Sequence, residues 1–301
     1  MNRRRALATG AALLLSPWLA MAATSSRFWP PKVGAQASGA QRPVPPAAGI
    51  GAAPVSGAAN GPVGLHVHDR GSHHEVVATN PLPGPVQVRL SLAGGEDLRA
   101  VPLLPAEAVL PAGASRTLAR LYRTGAPAAG GVELDLVQVP GDPRARPSDF
   151  PYRLPFEGAP VRVDQGFGGR HSHHDATNRY ALDFALPEGT PVLAARDGTV
   201  MEIVAADPRS GHGIRLLHDD GGMAVYAHLQ AGGTPVRVGE RVRQSQRIAR
   251  SGNTGFSSAP HLHFAVQANT GMRLQSIPFR MFADAGELKF AREGDAAGST
   301  D

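Results

Sequence analysis

The chain has 301 residues, of which 36 are glycine and 27 are proline; it has no cysteine and a formal net charge of +5. Glycine and proline exceed their average usage of ~12%, which argues against a mainly helical bundle and favours a turn-rich β protein. The missing cysteine excludes disulfides, thiolate zinc ligands, cysteine nucleophiles and iron–sulfur clusters, so a metal site would have to use His, Asp and Glu.

The N-terminus has the three parts of a secretory signal peptide. Arginines near the start precede an apolar run over residues 6–15, and Ala20-Met21-Ala22 follows as a cleavage site. The apolar run is too short to span a membrane and Pro17 interrupts it. We predict a signal peptide over 1–22, no integral membrane span after its cleavage, and export to the periplasm or cell envelope. The alternative is an uncleaved N-terminal anchor.

Two segments of different composition follow. Residues 23–61 are dominated by Ala, Gly, Pro and Ser, and they cannot bury enough apolar surface to offset the entropy lost on ordering. This composition predicts a disordered linker. From residue 62, runs such as Val86–Leu92 and Val132–Val137 alternate apolar and polar residues, with turn residues between the runs. That pattern predicts a small antiparallel β-sandwich over 62–150, whose function its composition does not reveal.

The second half continues as strands separated by turn signals, with no convincing amphipathic helix. We predict one β domain over 151–283 and a polar tail over 284–301. Turn signals include Asp-Gly at 197–198 and Gly-Asn-Thr-Gly at 252–255. The predicted strands are Pro191–Ala195, Gly198–Ala205, Gly213–His218, Met223–Leu229, Arg247–Arg250 and His261–Gln267.

Eight of the twelve histidines lie in this second half. His261 and His263 are two residues apart on a predicted strand, so their side chains lie on one face. Asp183 follows a group of histidines and has apolar neighbours, so its carboxylate has to be paired, hydrogen-bonded or metal-bound. His228 ends an apolar strand, where it is either a functional residue or a core histidine bonded to a backbone carbonyl.

Two histidines and a carboxylate, with further histidines nearby, match a catalytic zinc site that keeps an open fourth position. Zinc held in this way lowers the pKa of its bound water to about 7 and makes a hydroxide available for hydrolysis. The His-Glu-x-x-His helix of common metalloproteases is absent, because the run His74–Ala78 ends in alanine. We interpret the four histidines at 66, 68, 73 and 74 as loop or edge residues.

Three groups of residues, in this order, resemble the lysostaphin-type (LytM-type) zinc endopeptidases that cut peptidoglycan cross-links. The first runs from Asp183-Phe184-Ala185 through Gly189-Thr190-Pro191-Val192 to Asp197-Gly198-Thr199-Val200. The second is Tyr226-Ala227-His228-Leu229. The third includes Gly252-Asn253-Thr254-Gly255 and ends in Pro260-His261-Leu262-His263-Phe264. The resemblance covers about residues 161–282 and implies a lysostaphin-like antiparallel β-sheet domain.

Carried onto these positions, the resemblance implies that Asp183 and His263 are zinc ligands. The third ligand would be a histidine before the aspartate, but the family's short spacing fails because Arg179 occupies that position. A longer form of the motif fits His173, with His174 as the alternative and the histidine at 171 as a more distant one. The resemblance also implies two catalytic histidines that do not bind the metal, His228 and His261.

The predicted function is an exported zinc-dependent endopeptidase that binds the peptide stems of peptidoglycan and hydrolyses their cross-links with a zinc-activated water. One of His228 and His261 accepts the water proton, and the other helps to stabilise the oxyanion. The alternative is a non-catalytic LytM-type regulator that binds cell wall or activates an amidase. A nucleic-acid partner has little support, because the basic residues are dispersed and aromatic residues make up only 5%. The bond cut, any protein partner and the role of the first β domain stay open.

Overall fold

The computed structural model of the chain describes residues 55–59, 61–94, 98–124 and 132–290. These residues form 21 β-strands and no α-helix, which confirms the predicted mainly β fold. Within these ranges there is accordingly no helix with the length and apolarity needed to cross a membrane. The predicted signal peptide and most of the predicted linker lie outside the described residues.

Eight strands make up the first half of the described chain, in two four-stranded sheets. One sheet has the order β1-β8-β4-β6 and the other has the order β2-β3-β7-β5. The strands are β1 (Val55–Ala59), β2 (Gly64–Asp69), β3 (His74–Thr79), β4 (Val86–Gly94), β5 (Leu98–Val101), β6 (Ala106–Leu110), β7 (Ser115–Arg123) and β8 (Val132–Pro140).

Both sheets contribute side chains to one hydrophobic core. Leu90 of β4 and Leu134 of β8 are fully buried in it, together with Val76 of β3 and Leu121 of β7. The core lies between the two sheets, and each sheet buries one of its faces against the other. It follows from the alternation of apolar and polar residues in β4 and β8, since successive side chains of a strand point to opposite faces.

The predicted linker over 23–61 is wrong at its C-terminal end, where β1 (Val55–Ala59) forms. This strand pairs with β8, and the pairing is parallel, so the first domain is not purely antiparallel as predicted. Backbone hydrogen bonds hold a strand in a sheet whatever its side chains are. A segment of Val, Ser, Gly and Ala therefore joins the sheet although its composition resembles that of a linker.

The second half contains an eight-stranded antiparallel sheet with two small sheets beside it, which confirms the predicted antiparallel domain. Its order is β10-β11-β18-β15-β14-β13-β16, with β19 paired to β18. The strands are β9 (Pro151–Arg153), β10 (Val163–Gln165), β11 (Ala181–Ala185), β12 (Pro191–Leu193), β13 (Gly198–Asp207), β14 (Gly211–Leu217), β15 (Met223–Leu229), β16 (Arg241–Val242), β17 (Arg247–Arg250), β18 (His261–Asn269), β19 (Leu274–Ser276), β20 (Arg280–Ala283) and β21 (Gly286–Leu288).

The predicted polar tail over 284–301 begins too early. Strand β21 lies inside it and pairs antiparallel with β20. Leu288 and Phe290 pack against the core of the second domain, which holds this end of the chain in place. The rest of the predicted tail, from residue 291 onward, lies outside the described residues.

The two halves of the chain share part of one core. Met201 of β13 and Met223 of β15 are fully buried in the hydrophobic cluster of the first domain. Two hydrogen bonds add to this contact: the Asn269 side chain donates to the Gly141 carbonyl (3.0 Å), and the Met272 backbone N–H donates to Gln87 Oε1 (2.8 Å). The first domain therefore packs directly on the large sheet.

Candidate metal centre

Asp183 and His263 lie directly opposite each other on adjacent strands. Strand β11 pairs antiparallel with β18, and the register places these two residues together. Their neighbours Phe184 and Phe264 are fully buried in the core. Because side chains alternate along a strand, Asp183 and His263 both face away from that core.

The loop between β10 and β11 brings a third residue to this pair. His173 is completely buried, and one donor atom each from His173, Asp183 and His263 lie within 4.8 Å of one another. The adjacent His174 is exposed and is not part of the group, and neither is the exposed His171. Of the three histidines that the sequence offered as the third ligand, His173 is the one that lies in this group.

An aspartate stabilises the turn that carries His173. Asp175 Oδ1 accepts backbone hydrogen bonds from Thr177 (2.9 Å) and Asn178 (3.0 Å), and the Asn178 side chain donates to both carboxylate oxygens. Burial alone would raise the pKa of Asp175, but the bonds from Thr177 and Asn178 outweigh it and lower the pKa. Residues 175–178 are thus held in a defined turn between His173 and Asp183.

The donor atoms of the group lie close enough together to converge on one metal ion. His173 Nε2 lies 3.2 Å from Asp183 Oδ2, and His263 Nδ1 lies 2.8 Å from Asp183 Oδ1. Ligand atoms about 2.0–2.1 Å from a tetrahedral ion are roughly 3.3 Å apart. The donor set of two imidazoles and one carboxylate is also one that zinc prefers. His173, Asp183 and His263 therefore fit the metal that the sequence implied.

Two contacts orient these side chains. His173 Nδ1 lies 2.8 Å from the Gly166 carbonyl, which can only accept, so Nδ1 carries the proton and Nε2 presents its lone pair to the group. The Gln165 side chain donates to Asp183 Oδ2 (2.8 Å), while Gln165 Oε1 accepts the backbone N–H groups of the two residues before His173. Sequence reasoning missed Gln165, because a single glutamine in a short strand carries no motif.

The carboxylate of Asp183 is held in its ionised form. Its burial would raise the pKa, but its contacts with His173 and His263 outweigh that effect and hold the pKa well below its usual range. Burial also lowers the pKa of His263, which favours the neutral imidazole. An ionised carboxylate and neutral imidazoles are the protonation states in which these groups bind metals.

The two remaining predicted residues, His228 and His261, lie beside this group with their rings 4.5 Å apart. His228 Nδ1 is 2.8 Å from the Thr254 carbonyl, and His261 Nδ1 is 2.8 Å from the Ala259 carbonyl. Each Nδ1 is therefore a donor, and each Nε2 keeps a lone pair. His261 Nε2 lies 3.9 Å from Asp183 Oδ1, so that it points toward the candidate metal ligands.

The backbone of His228 adopts a left-handed conformation, with a φ of 59°. Its strand is irregular at this point, because the pairing with β14 shifts register between His212 and Ile214. A non-glycine residue in this conformation costs about 1–3 kcal/mol and is held there by its surroundings. Burial, reinforced by nearby His263 and His261, lowers the pKa of His228 to about 4. The irregular strand end thus presents a neutral imidazole.

A cavity of about 680 Å³ opens onto these histidines. None of the described residues of the first domain lines it. Phe256 lines the cavity and is 85% exposed. The lining residues are Asp164, Gln165, His171, Ser172, Asn178, Asp183, Arg209, Ser210, His228, Phe256, Ser257, Ser258, Ala259, His261 and His263.

Residues 177–274 match the family model described as Peptidase family M23. This part of the chain is therefore similar to the M23 peptidases, and we call it the M23 domain. The match includes Asp183, His228, His261 and His263 but begins after His173, which lies in the turn before it. It confirms the resemblance to lysostaphin-type peptidases that the sequence motifs indicated.

Two curated proteins are similar to about a third of this chain. The glycyl-glycine endopeptidase ALE-1 of Staphylococcus capitis is 39% identical over 106 residues, which are 35% of this chain and 29% of that protein. The peptidoglycan DD-endopeptidase ShyA of Vibrio cholerae is 37% identical over 109 residues, 35% of this chain and 24% of that protein. The solved structure of lysostaphin from Staphylococcus simulans is 30% identical, covers 42% of this chain and 46% of that one, and gives a TM-score of 0.33.

The match spans less than a third of the length of either curated relative. The M23 domain places the chain among relatives named as peptidoglycan endopeptidases and supports a hydrolase.

Proposed function

We propose that this chain is an exported, zinc-dependent endopeptidase that hydrolyses peptide cross-links of peptidoglycan. The observation that carries the proposal is the arrangement of two pairs of histidines around Asp183. His173 and His263 form a buried ligand group with this aspartate, and His228 and His261 lie in the same cavity with their Nδ1 atoms already bonded to carbonyls.

His173, Asp183 and His263 would hold the zinc ion. When bound, zinc supplies a Lewis acid for the scissile carbonyl and an acidified water. Asp183 and His263 line the cavity, so that a peptide bound there would reach the ligand group. Gln165 fixes the orientation of Asp183, which supports the ligand geometry in the way that outer contacts commonly do.

His228 and His261 handle the protons of the reaction. Each imidazole that holds its proton on Nδ1 presents an Nε2 lone pair, so that either ring can accept the proton of the attacking water. The imidazole that gains this proton becomes a donor on both nitrogens. It can then hydrogen-bond the oxyanion or protonate the departing amine. The bonds to the Thr254 and Ala259 carbonyls keep both rings in the tautomer that this role needs.

Two observations support peptidoglycan as the substrate. The relatives ALE-1 and ShyA are named as a glycyl-glycine endopeptidase and a peptidoglycan DD-endopeptidase. The cavity volume is also within the roughly 300–1,000 Å³ of common ligand sites, and none of the described residues of the first domain lines it. The presence of all five residues favours an enzyme over a non-catalytic regulator, because a regulator does not require the complete set.

Digestion of purified cross-linked sacculi, followed by mass spectrometry of the muropeptides, tests the proposed activity. We expect the protein alone to cut peptide cross-links, a chelator to stop the reaction, and added zinc to restore it. His173→Ala should abolish both zinc binding and cleavage. His174→Ala is the matched control, since this neighbouring histidine is exposed and outside the ligand group, and it should leave both intact.

Several results would argue against the enzyme. Cleavage that survives in His173→Ala at the rate of His174→Ala would exclude the proposed metal site. A protein that binds one zinc ion yet cuts no cross-link, while it accelerates a purified amidase, would be a regulator.

Export is tested separately by cell fractionation and by determination of the N-terminus of the mature protein. The proposal expects the protein in the periplasm or the medium, with Ala23 as its first residue. A protein that retains residues 1–22 and stays in the cytoplasm would exclude export.

A further inference from the structure

Arg209 is the only arginine or lysine that lines the cavity in the described part of the chain. It belongs to the short turn between β13 and β14, on the side of the cavity that also carries Phe256. The other charged lining residues are carboxylates, Asp164 and Asp183. Asp183 belongs to the metal group, and Asp164 is paired with Arg162 at 3.0 Å.

The backbone of this turn is firmly held. Asp207 is buried, and its Oδ1 atom accepts the N–H groups of Arg209 (2.9 Å) and Ser210 (2.8 Å) and the hydroxyl of Ser210 (3.1 Å). On the other side, the Arg209 carbonyl accepts the N–H of Phe256 at 2.9 Å. Both the backbone N–H and the backbone carbonyl of Arg209 are therefore hydrogen-bonded, and its side chain extends from a fixed Cα position.

The turn is also tied to a proposed catalytic residue. The Ser210 carbonyl accepts the N–H of His228 at 2.9 Å. Gly211 and Gly255 have positive φ values of 66° and 77° and allow the turn and the 252–260 loop to approach closely, where a Cβ on either glycine would clash. The turn that carries Arg209 is therefore hydrogen-bonded directly to the backbone of His228.

The guanidinium of Arg209 is exposed, and among the described residues it has no hydrogen bond or ion pair. Arg162, by comparison, is neutralised by Asp164 at the other side of the cavity. The backbone of Arg209 is fixed, and no carboxylate of the described residues neutralises its guanidinium. Such a side chain can bind an anionic group of a ligand. Because the guanidinium is a planar fork of donors, it suits a carboxylate in particular.

We propose that Arg209 is a specificity-determining residue that binds a substrate carboxylate next to the scissile amide. The inference rests on the proposed endopeptidase function and narrows its substrate class. In a diaminopimelate-type cross-link, the carbon attached to the scissile nitrogen carries a carboxylate. In a glycine bridge that carbon carries two hydrogens and a neutral amide carbonyl, with no carboxylate. Arg209 therefore favours the diaminopimelate-type cross-link over the neutral bridge.

Cleavage of two cross-linked muropeptides tests this inference. They are identical except that the carboxylate next to the scissile amide is free in one and amidated in the other. Wild-type protein should prefer the free acid. Arg209→Gln should lower kcat/KM for the free acid by about 10- to 100-fold, as expected for one charge-assisted contact, and bring the ratio between the two substrates close to one. Arg209→Lys, which keeps the charge without the fork, should give an intermediate ratio.

Arg247→Gln is the matched control, because Arg247 is an exposed arginine of β17 outside the cavity lining, and it should keep the wild-type ratio. An unchanged ratio in Arg209→Gln would overturn the inference. An equal loss on both substrates, with a lower melting temperature, would also overturn it, since it would show a structural role.

Binding separates this inference from the proposed function. If wild-type protein cuts neither muropeptide, the endopeptidase proposal fails. Fluorescently labelled free-acid and amidated peptides then test Arg209 by their dissociation constants. A tighter complex with the free acid that is lost in Arg209→Gln supports the inference, and equal constants in wild-type protein overturn it.

Discussion

The carboxylate of Asp183 and the imidazole of His263 meet 2.8 Å apart across two neighbouring strands. The strand register sets this distance, because the two residues are direct partners in the pairing of β11 with β18. The same carboxylate reaches His173 with its other oxygen, at 3.2 Å. A residue from a loop is thus joined to two residues from the sheet, so that the ligand group is as rigid as the sheet that carries it.

Zinc binding should therefore stabilise the folded protein, and Asp183 should be required for this effect. At a free zinc concentration 1,000 times the dissociation constant, linkage predicts a gain of about 4 kcal/mol in the free energy of unfolding. Asp183→Asn should lose that gain, which thermal unfolding with and without zinc would measure. Asp164→Asn is the control, because Asp164 is an exposed carboxylate of the same cavity that is paired with Arg162. A gain in Asp183→Asn as large as in the control would contradict the assigned ligand group.

Gln165 should control zinc affinity without touching the metal. Gln165→Ala removes the donor to Asp183 Oδ2 and the acceptor for the loop before His173, and we expect zinc affinity to fall by about 10- to 100-fold. Gln165→Glu should be at least as harmful, since it places a second negative charge beside Asp183. Competition with a chromophoric chelator measures both constants. Gln230→Ala, at an exposed position outside the cavity lining, should bind zinc like wild-type protein.

Gln165 also shows which part of the site the sequence could predict. The motifs around Asp183, His228 and His263 are contiguous, and strand alternation alone places the last of these on one face with His261. The choice of His173 over His174 depends on the loop turn, where only one of two adjacent side chains can point inward. Gln165 and Arg209 act through contacts between segments distant in sequence, and no local pattern reports such contacts.

The fold shows the same division. Strands β15 and β17 have the predicted bounds, because their apolar runs end at clear turn signals. Strand β1 pairs with β8 although its Ala- and Gly-containing sequence carries no alternating apolar pattern, so the sequence did not predict it. Local patterns therefore predict strands with an alternating or continuous apolar sequence. They do not predict a strand such as β1, which is recognised only by its pairing with another strand.

Buried His218 should make the stability of the fold depend on pH. Its Nδ1 bonds the Asp197 carbonyl at 2.8 Å, and burial lowers its pKa from 6.5 to about 4. Between these two values the unfolded chain binds a proton that the folded chain excludes, so stability is highest above pH 6.5 and falls as the pH drops toward 4. One such group costs about 1.4 kcal/mol per pH unit, or roughly 2 kcal/mol at pH 5.

Urea unfolding of the zinc-free protein at pH 7.5 and pH 5 measures this dependence. His218→Asn is the informative variant, because its amide can still donate to the Asp197 carbonyl but does not titrate. The loss of stability between the two pH values should be about 2 kcal/mol smaller in this variant than in wild-type protein. An identical loss in both proteins would show that His218 does not contribute.

The shared core predicts that the two domains unfold together. Met223 belongs to a central strand of the M23 domain but is fully buried among side chains of the first domain. Met223→Ala should lower the free energy of unfolding by about 2–5 kcal/mol. Hydrogen exchange should increase in β4 as well as in β15, although the variant changes only the second domain. Faster exchange confined to one of these strands would show that the domains are independent.

The left-handed backbone of His228 allows its role in catalysis to be separated from its effect on stability. His228→Ala and His228→Gly should both lose activity, since both remove the imidazole that faces the cavity. They should differ in stability, because a non-glycine residue in this conformation costs about 1–2 kcal/mol that glycine does not. We expect His228→Gly to be more stable than His228→Ala by about 0.5–1 kcal/mol, after allowance for the greater entropy of glycine in the unfolded chain. Urea unfolding measures the difference. If His228→Ala were the more stable variant, the backbone at residue 228 would have relaxed to an ordinary conformation. The cause would be the loss of the hydrogen bond from the imidazole to the Thr254 carbonyl.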